Sequence, residues 1–587
     1  MKKFLILIVC ASILLTGFIY DPDKVVQTGS CRYISKEGPF YAIDTDGLIT
    51  IYGEGEMEYA EYHYYDYWAG WDPSDPNRPM PWIPDHPKIK RAVIDKGILY
   101  VCQQAFKGYK HLTSVTISNT VEHIGSGAFD DCPVLSDIVI SDGVKRIDDY
   151  AFRGCTSLTD ITIPDSVTFI GDGAFEGCTN LKNIVLPDSL QSLGANVFDG
   201  TAYYNDESNW TGDVLYVGNH LAAAKEDLSG ELVIKPGTLT IAGYSIPDDP
   251  NKLYLGSVTG YYSYQPFVPG AFSGIAGLTK VTIPDSVTAI GMGNFYGCTG
   301  LEEVVIPDSV RSVGNGAFYG CSSLKSVIIP EGVKTIEYEA FRDCVSLESV
   351  TLPESLTTID KGAFQGCSVL RELNIPENVT GIGFEAFRGT DLASVVIPGG
   401  ARLENRAFKD CAALESAIIT NGVQKIGWGT FSGCSSLKSV IVPDTVTSIE
   451  GEAFRDCVGL TEINIPIGVT AVGDGAFKGC SSLMSISIPG NVARISAAAF
   501  ENCTGLKTVS LGQGVTSIST SAFRGCTGLE SIYIPAGVSS IRYGAFDGCT
   551  SPTNIYFGGT EDQWNAIDVG FPGKNGLDLS AQVHYNS

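Results

Sequence analysis

The stretch FRGCTSLTDITIPDSVTFIGDGAF, residues 152–175, contains the unit from which most of this chain is built. Residues 161–163 alternate apolar, polar and apolar, which is the period of a half-buried strand. Pro164 ends the strand, because a proline nitrogen has no hydrogen to donate to a ladder. Val167 and Ile170 return to the core from a second short extended segment, and a glycine-containing turn leads to an Ala-Phe pair. One such unit predicts one solenoid coil whose centre is filled by the phenylalanine ring.

Phenylalanine recurs along the chain at the spacing of this unit. All but two of the intervals between successive rings are 23 residues, and a fixed period of this size indicates a solenoid in which each coil is stabilised by its neighbours. The ring positions are Phe106, Phe129, Phe152, Phe175, Phe198, Phe272, Phe295, Phe318, Phe341, Phe364, Phe387, Phe408, Phe431, Phe454, Phe477, Phe500, Phe523 and Phe546.

The repeat, Leu-x-x-Ile-x-Ile-Pro followed by Ala-Phe-x-x-Cys, resembles the BspA-type leucine-rich repeats of bacterial surface proteins over about residues 92–557. It departs from ordinary leucine-rich repeats because its Cys precedes the Leu and a Pro follows the strand. The resemblance implies a right-handed, mainly β solenoid exposed at the cell surface for adhesion or ligand capture. It does not identify the partner, because function resides in sites rather than in the fold.

Breaks in the period predict the organisation of the chain. We expect a repeat solenoid of 23-residue coils with β caps and one inserted segment. The phrases FYAIDTDGLITIYG and DVLYVGNHL predict a hairpin in the N-terminal cap and another in the insert. The predicted segments are 1–20, a signal peptide or anchor; 25–91, an N-terminal β cap with an aromatic-rich part; 92–198, repeats; 199–271, degenerate repeats with the inserted hairpin; 272–557, repeats; and 558–587, a C-terminal cap in which Trp564 covers the last coil.

The N-terminus predicts export. A basic head at residues 1–3 precedes an apolar run to about Tyr20, which is typical of a secretory signal. The segment is a cleaved signal, an uncleaved anchor, or a lipidation site at Cys10, although Val9 stands where a lipoprotein has a small residue. We expect an extracellular or cell-surface location with no membrane contact beyond this segment.

Composition argues against two classes of protein. The net charge of −27 opposes nucleic-acid binding, which requires a basic face. Only six His are present, and no nucleophile elbow, Walker loop or His-Glu-x-x-His motif occurs in the sequence. We expect neither an enzyme nor a cofactor or metal site.

Fourteen of the 17 cysteines occupy one position of the repeat. Equivalent side chains in neighbouring coils run parallel, which leaves the Cβ atoms about 4.8 Å apart rather than the roughly 3.8 Å of a disulfide. We therefore expect small buried thiols that fill one layer of the core. Cys31 and Cys102 lie outside this column and are the better disulfide candidates.

Two features are candidate binding surfaces. The first is the row of residues predicted to point outward from the strands, called here the outward column, which contains no charged side chain. It is either a consequence of β-propensity or a smooth strip for an extended partner. Its residues are Thr116, Val139, Thr162, Val185, Thr282, Val305, Ile328, Thr351, Asn374, Val396, Ile418, Ile441, Asn464, Ser487, Ser510 and Tyr533, of which Thr282, Val305, Ile328, Thr351, Asn374, Val396 and Asn464 are the predicted ligand contacts.

The second candidate is the aromatic part of the N-terminal cap. Its rings either cover the first coil or form a stacking surface for a sugar or peptide. The candidate residues are Tyr65, Tyr67, Trp68, Trp71 and Trp82. The insert at 199–271 is also rich in aromatic residues. Two interpretations are equally favoured: it projects from the solenoid and carries function, or it fills an irregular junction between coils.

These observations predict a surface binding or adhesion protein whose partner is an extracellular protein or glycan. The alternatives are a spacer without a specific ligand, or a glycan-binding protein that uses the aromatic cap.

Overall fold

Parallel strands at equivalent repeat positions lie side by side in the computed structural model of this chain. It describes residues 25–30, 40–44, 46–52, 55–56, 89–243, 270–550, 554–569 and 582–585. The chain divides into two units. The first comprises Met1–Leu228, Lys235–Phe272 and Ile290–Asn294, and the second comprises Ser229–Ile234, Ser273–Ala289 and Phe295–Ser587.

Each regular coil has two strands, called here the main strand and the short strand. In the coil quoted above they are Asp160–Thr162 and Phe169–Ile170. Each residue pairs in parallel with its equivalent 23 positions later, so that Ile161 faces Ile184. Apolar residues at alternate positions point into the core, which produces the exposed-buried-exposed pattern of the main strand. The predicted mainly β solenoid with 23-residue coils is confirmed.

In the first unit the short strands form one ladder, and the main strands form two, which are separated between Asp137–Val139 and Asp160–Thr162. Its main strands are Leu48–Tyr52, Arg91–Ile94, Ser114–Ile117, Asp137–Val139, Asp160–Thr162 and Asn183–Val185. Its short strands are Gly55–Glu56, Ile98–Val101, His123–Ile124, Arg146–Ile147, Phe169–Ile170 and Ser192–Leu193.

Both predicted hairpins are present in the first unit. Phe40–Asp44 pairs antiparallel with Leu48–Tyr52, and Val25–Ser30 adds a further antiparallel strand. In the insert, Val214–Val217 pairs antiparallel with His220–Ala224. Within the first unit, the described part of the insert also contains the helix Ala202–Asn205, the 3₁₀ turn Glu207–Asn209 and the strands Trp210–Thr211 and Thr240–Ile241.

The second unit repeats the same pattern. Its main strands are Gly230–Val233, Leu278–Thr282, Glu303–Val305, Ser326–Ile328, Ser349–Thr351, Ser394–Ile397, Ser416–Ile419, Ser439–Ile441, Ser485–Ile488, Thr508–Leu511, Ser531–Ile534, Asn554–Phe557 and Gln582–Tyr585. Its short strands are Ser312–Val313, Thr335–Ile336, Thr358–Ile359, Gly381–Ile382, Arg402–Leu403, Lys425–Ile426, Ser448–Ile449, Ala471–Val472, Arg494–Ile495, Ser517–Ile518 and Ser540–Ile541. One more short strand, Ala289–Ile290, lies where the chain passes between the units.

Two coils of the second unit lack the main strand that the sequence pattern predicts. Glu372 forms an isolated backbone β-bridge with Ser349. Asn374 and Asn464 lie outside any strand. Asparagine is depleted in strands because its side chain offers the backbone alternative hydrogen bonds. The main-strand ladder is therefore split into three sheets, which begin at Gly230, Ser394 and Ser485.

The C-terminal segment contains more than the predicted cap. The helix Glu561–Asn565 begins with a capping box made by Thr560 and Gln563. Within it, Trp564 packs edge-on against Phe557 with ring centroids 5.2 Å apart, as expected of a residue that covers the last coil. Beyond this helix, Gln582–Tyr585 pairs in parallel with Asn554–Phe557 and extends the sheet by one strand.

Stacked phenylalanine rings form the centre of each unit. In the first unit the rings from Phe106 to Phe198 stack with centroids 5.3–5.9 Å apart and planes within 11° of parallel. In the second unit the rings from Phe295 to Phe546 stack at 5.1–5.6 Å. These side chains are buried, and offset stacking contributes about 0.5–1.5 kcal/mol per pair beyond area burial.

The turn that carries each ring uses left-handed backbone conformations. Around Phe175, Gly173 has φ +57° and Gly177 has φ +69°. Other coils place non-glycine residues there, including Asp343 at φ +57° and Asn502 at φ +62°. Short polar side chains tolerate this region best, which explains why Gly, Asp and Asn dominate the position two residues after the ring.

Among the residues that the structure describes, no helix is both long enough and apolar enough to cross a membrane.

Candidate binding surface

The outward column is exposed in both units. In the first unit Val139 is 66% exposed, and in the second unit Ile328 and Ile441 are 68% and 60% exposed. Of the predicted contacts, Val305, Ile328, Thr351, Asn374, Val396 and Asn464 are exposed. Each lies between two residues that point into the core, so the pleat of the coil directs it outward.

Thr282 is the one predicted contact that is not fully exposed. It is half-buried, because it pairs with Val233 in the preceding strand and with Val305 in the next. Thr282 therefore lies between two exposed valines and contributes less exposed area than they do.

Two of the predicted contacts lie where the ladder of main strands is interrupted. Asn374 and Asn464 are exposed but lie in the two coils without a main strand. They separate the strip of the second unit into three segments. Exposed aliphatic side chains occur in the first two segments, at Val305, Ile328, Val396, Ile418 and Ile441.

Charged residues lie beside the outward column and pair with one another across coils. Lys280 Nζ lies 2.9 Å from Glu303 Oε1, and Lys438 Nζ lies 2.8 Å from Glu415 Oε2. These pairs are solvent-exposed, and each contributes little to stability. Charge therefore lies beside the outward column, whose own side chains are uncharged.

The rival surface, formed by Tyr65, Tyr67, Trp68, Trp71 and Trp82, lies outside the described residues, as do Cys31 and residues 1–20. Cys102, which we considered as the disulfide partner of Cys31, is a buried free thiol whose pKa is raised by burial to about 12.

The cysteine column is free of disulfides in the described part of the chain, as expected, but it does more than fill space. In thirteen coils the thiol donates a hydrogen bond of 3.0–3.3 Å to the carbonyl oxygen of the phenylalanine in the preceding coil. In most coils the same carbonyl also accepts the backbone N–H three residues later, as Phe152 O does from Cys155 N, so the thiol supplies a second hydrogen bond to it. The column therefore joins each coil to the next.

Thr201 and Thr390 replace Cys in two coils. Their hydroxyls also donate to a central phenylalanine carbonyl, but to that of their own coil, Phe198 at 2.7 Å and Phe387 at 2.9 Å, and not to that of the preceding coil. Two hydroxyl residues at an otherwise cysteine position indicate a need for a hydrogen-bond donor.

We expect the native protein to react slowly with a thiol reagent and the denatured, unreduced protein to expose at least the fifteen thiols that are free in the structure. The thiolate is the reactive form, and burial raises the pKa of Cys132 and Cys298 to about 12. The measurement is a titration with Ellman's reagent before and after denaturation. Recovery of most of these cysteines in disulfides by mass spectrometry would contradict the structure.

Within the described residues, no three His, Cys, Asp or Glu side chains come together as possible metal ligands.

Comparison with known proteins supports the same architecture. The model of the BspA-type leucine-rich repeat region matches residues 85–205, 288–412, 401–529 and 470–565, which together exceed half of the chain. A leucine-rich repeat protein from Bacteroides ovatus is 20% identical over 97% of this chain and 100% of its own, with a TM-score of 0.39. A leucine-rich repeat protein from T. pallidum is 29% identical over 27% of this chain and 77% of its own, with a TM-score of 0.25.

A leucine-rich cell surface protein from Faecalibacterium prausnitzii is 22% identical over 92% of this chain and 98% of its own, with a TM-score of 0.22. No curated protein sequence matches the chain. The repeat motif, the coil geometry and the family match agree: this chain belongs to the BspA-type leucine-rich repeat family.

Proposed function

We propose that this chain is an exported, non-catalytic binding protein of the cell surface, and that its outward column contacts an extended segment of an extracellular protein. The observation that carries the proposal is the row of exposed, uncharged side chains in a chain of net charge −27. The apolar run at residues 4–20, which follows the basic head, supports export.

The chemistry of the first two sheets of the second unit favours a protein partner. Val305 and Ile328 lie in one sheet and Val396, Ile418 and Ile441 in the next, all exposed. The centres of protein interfaces are depleted in charge and enriched in apolar contact. A partner lying across successive coils would add many small contacts, so no single side chain would dominate the affinity.

We expect the triple variant Thr351→Glu, Asn374→Glu, Val396→Glu to abolish binding of the protein partner, whereas each single substitution changes the affinity for that partner by less than threefold. Three buried carboxylates without partners would oppose complex formation. The measurement is binding to immobilised extracellular-matrix and cell-surface proteins, with glycan arrays run in parallel.

The matched control is Val345→Glu, Ser368→Glu, Ala412→Glu. These three exposed residues directly follow Cys344, Cys367 and Cys411, and the control likewise changes the net charge from −27 to −30. Equal loss of binding in both triple variants would indicate general repulsion and contradict the proposal.

Two other outcomes would assign the function elsewhere. If Trp68→Ala with Trp71→Ala removes binding while the Thr351, Asn374, Val396 variant keeps it, the aromatic cap holds the site. If the unmodified protein binds none of the proteins or glycans, the chain acts as a spacer.

A further inference from the structure

The third sheet of the second unit, called here the C-terminal sheet, has an outward face unlike those of the other two. Its five strands are joined in parallel from Ser485–Ile488 to Gln582–Tyr585. At the two outward positions of each strand there is no Asp, Glu, Lys or Arg, and there is no aliphatic side chain. The ten residues are Ser485, Ser487, Thr508, Ser510, Ser531, Tyr533, Asn554, Tyr556, Gln582 and His584.

Three of these side chains form an aromatic row. The Tyr533 and Tyr556 rings have centroids 6.5 Å apart, and the Tyr556 and His584 rings have centroids 4.9 Å apart, with planes within 16° of parallel. Tyr533 and Tyr556 are 40% and 42% exposed. His584 Nε2 lies 3.4 Å from Asn554 Oδ1, which places an amide beside the row.

The rest of the face consists of small hydroxyl side chains. Ser510 pairs in register with Tyr533, and Ser487 pairs with Ser510, so the row meets a surface of small polar groups on the side away from His584. The nearest charged pair joins Lys507 Nζ to Glu530 Oε1 at 3.6 Å, one residue before the strands. The face therefore offers hydroxyls, amides and aromatic rings with paired charges at its border.

We propose that this face of the C-terminal sheet binds a neutral glycan. Sugar hydroxyls both donate and accept hydrogen bonds, and serine, threonine and tyrosine hydroxyls and the asparagine and glutamine amides do the same. The apolar C–H faces of pyranose rings pack on aromatic side chains, for which tyrosine combines an apolar body with a polar tip. Because the rings of the row stack on one another, they offer a sugar their exposed edges, their hydroxyl groups and the Tyr533 face directed toward Ser510. A protein partner would find no aliphatic anchor here, whereas a polyanion would meet a chain of net charge −27.

This inference extends the proposed binding function to a second surface, and it rests on the chain being a surface binding protein. It is nevertheless separable from that proposal, because the aliphatic segments of the outward column and the aromatic row lie in different sheets. The Thr351, Asn374, Val396 triple Glu variant should leave glycan binding unchanged.

The experiment measures binding of cellohexaose, maltohexaose and chitohexaose to the full chain by calorimetry, with hexagalacturonate as the charged comparison. We expect at least one neutral hexasaccharide to bind, and Tyr533→Ala with Tyr556→Ala to weaken that binding at least tenfold. The control is Tyr543→Ala, which removes a tyrosine that is 51% exposed but outside this face and should change affinity less than twofold.

Raising sodium chloride from about 50 to 500 mM should also change the affinity less than twofold, because no charged side chain of the face contributes. Circular dichroism of each variant verifies that the repeats remain folded. Failure of all three neutral sugars to bind, binding of hexagalacturonate alone, or equal binding by the folded double variant would each overturn the proposal.

Discussion

Replacing Phe364 by alanine is expected to destabilise its region of the second unit by about 3–5 kcal/mol. The ring is fully buried and stacks between Phe341 and Phe387, with centroids 5.5 Å away on both sides. The substitution therefore creates a cavity and removes two aromatic contacts. Because a coil contacts its neighbours only, the effect should be local at first.

The measurement is native-state hydrogen exchange of the variant. Amides near Phe341, Phe364 and Phe387 should lose protection before those near Phe500. Phe364→Leu is the control, since it retains most of the buried volume and should cost considerably less. Uniform loss of protection throughout the second unit would contradict nearest-neighbour stabilisation.

Replacing Asp172 by asparagine is expected to stabilise the first unit at pH 8 by roughly 2–4 kcal/mol and to have little effect at pH 4. Asp172 is 5% exposed and lies one coil after Asp149. Asp149 Oδ1 accepts the N–H of Asp172 at 3.0 Å, and Asp172 Oδ1 accepts the N–H of Ala195 at 2.8 Å. Asparagine keeps this acceptor without the charge.

The sign of the pH dependence follows from the direction of the shift. Burial, and next the charge of Asp149, raise the pKa of Asp172 from 3.8 to about 7, against the lowering effect of the Ala195 hydrogen bond. Between these values the folded chain holds a proton that the unfolded chain has released. The stability contributed by Asp172 is therefore complete below about pH 4 and is lost as the pH rises to about 7.

Urea unfolding of each variant and of the unmodified protein at pH 4, 6 and 8, followed by a probe in the unit that carries the substitution, measures this effect. Asp474→Asn is the matched control, because Asp474 makes the same bond to Ala497 N at 3.0 Å from an exposed position. An equal loss of stability at every pH in the Asp172 variant would show that its carboxyl group is not a source of pH dependence.

The candidate site was predictable in its chemistry but not in its continuity. The absence of charge in the outward column can be read from the sequence, since strand alternation places Ile328 and Val396 on the outer face. The breaks at Asn374 and Asn464 depend on whether each backbone completes its ladder bonds. Asn183 and Asn554 lie in main strands, so the presence of asparagine alone does not predict where a strand is lost. The aromatic row could not be predicted from the repeat. His584 stacks on Tyr556 because the strand Gln582–Tyr585, which follows a break in the repeat, pairs with Asn554–Phe557.

The sequence by itself determined the repeat. A period of 23 residues with one buried ring per coil specifies the two ladders, the central stack and the two hairpins, because the alternation and turn signals that encode them are local. Only the tertiary structure decided which groups meet between coils. The thiol of Cys155 reaches the carbonyl of Phe129, 26 residues earlier, and Asp172 lies buried beside Asp149. Both contacts depend on how one coil lies on the next. The spacing of residues along the chain does not specify that arrangement.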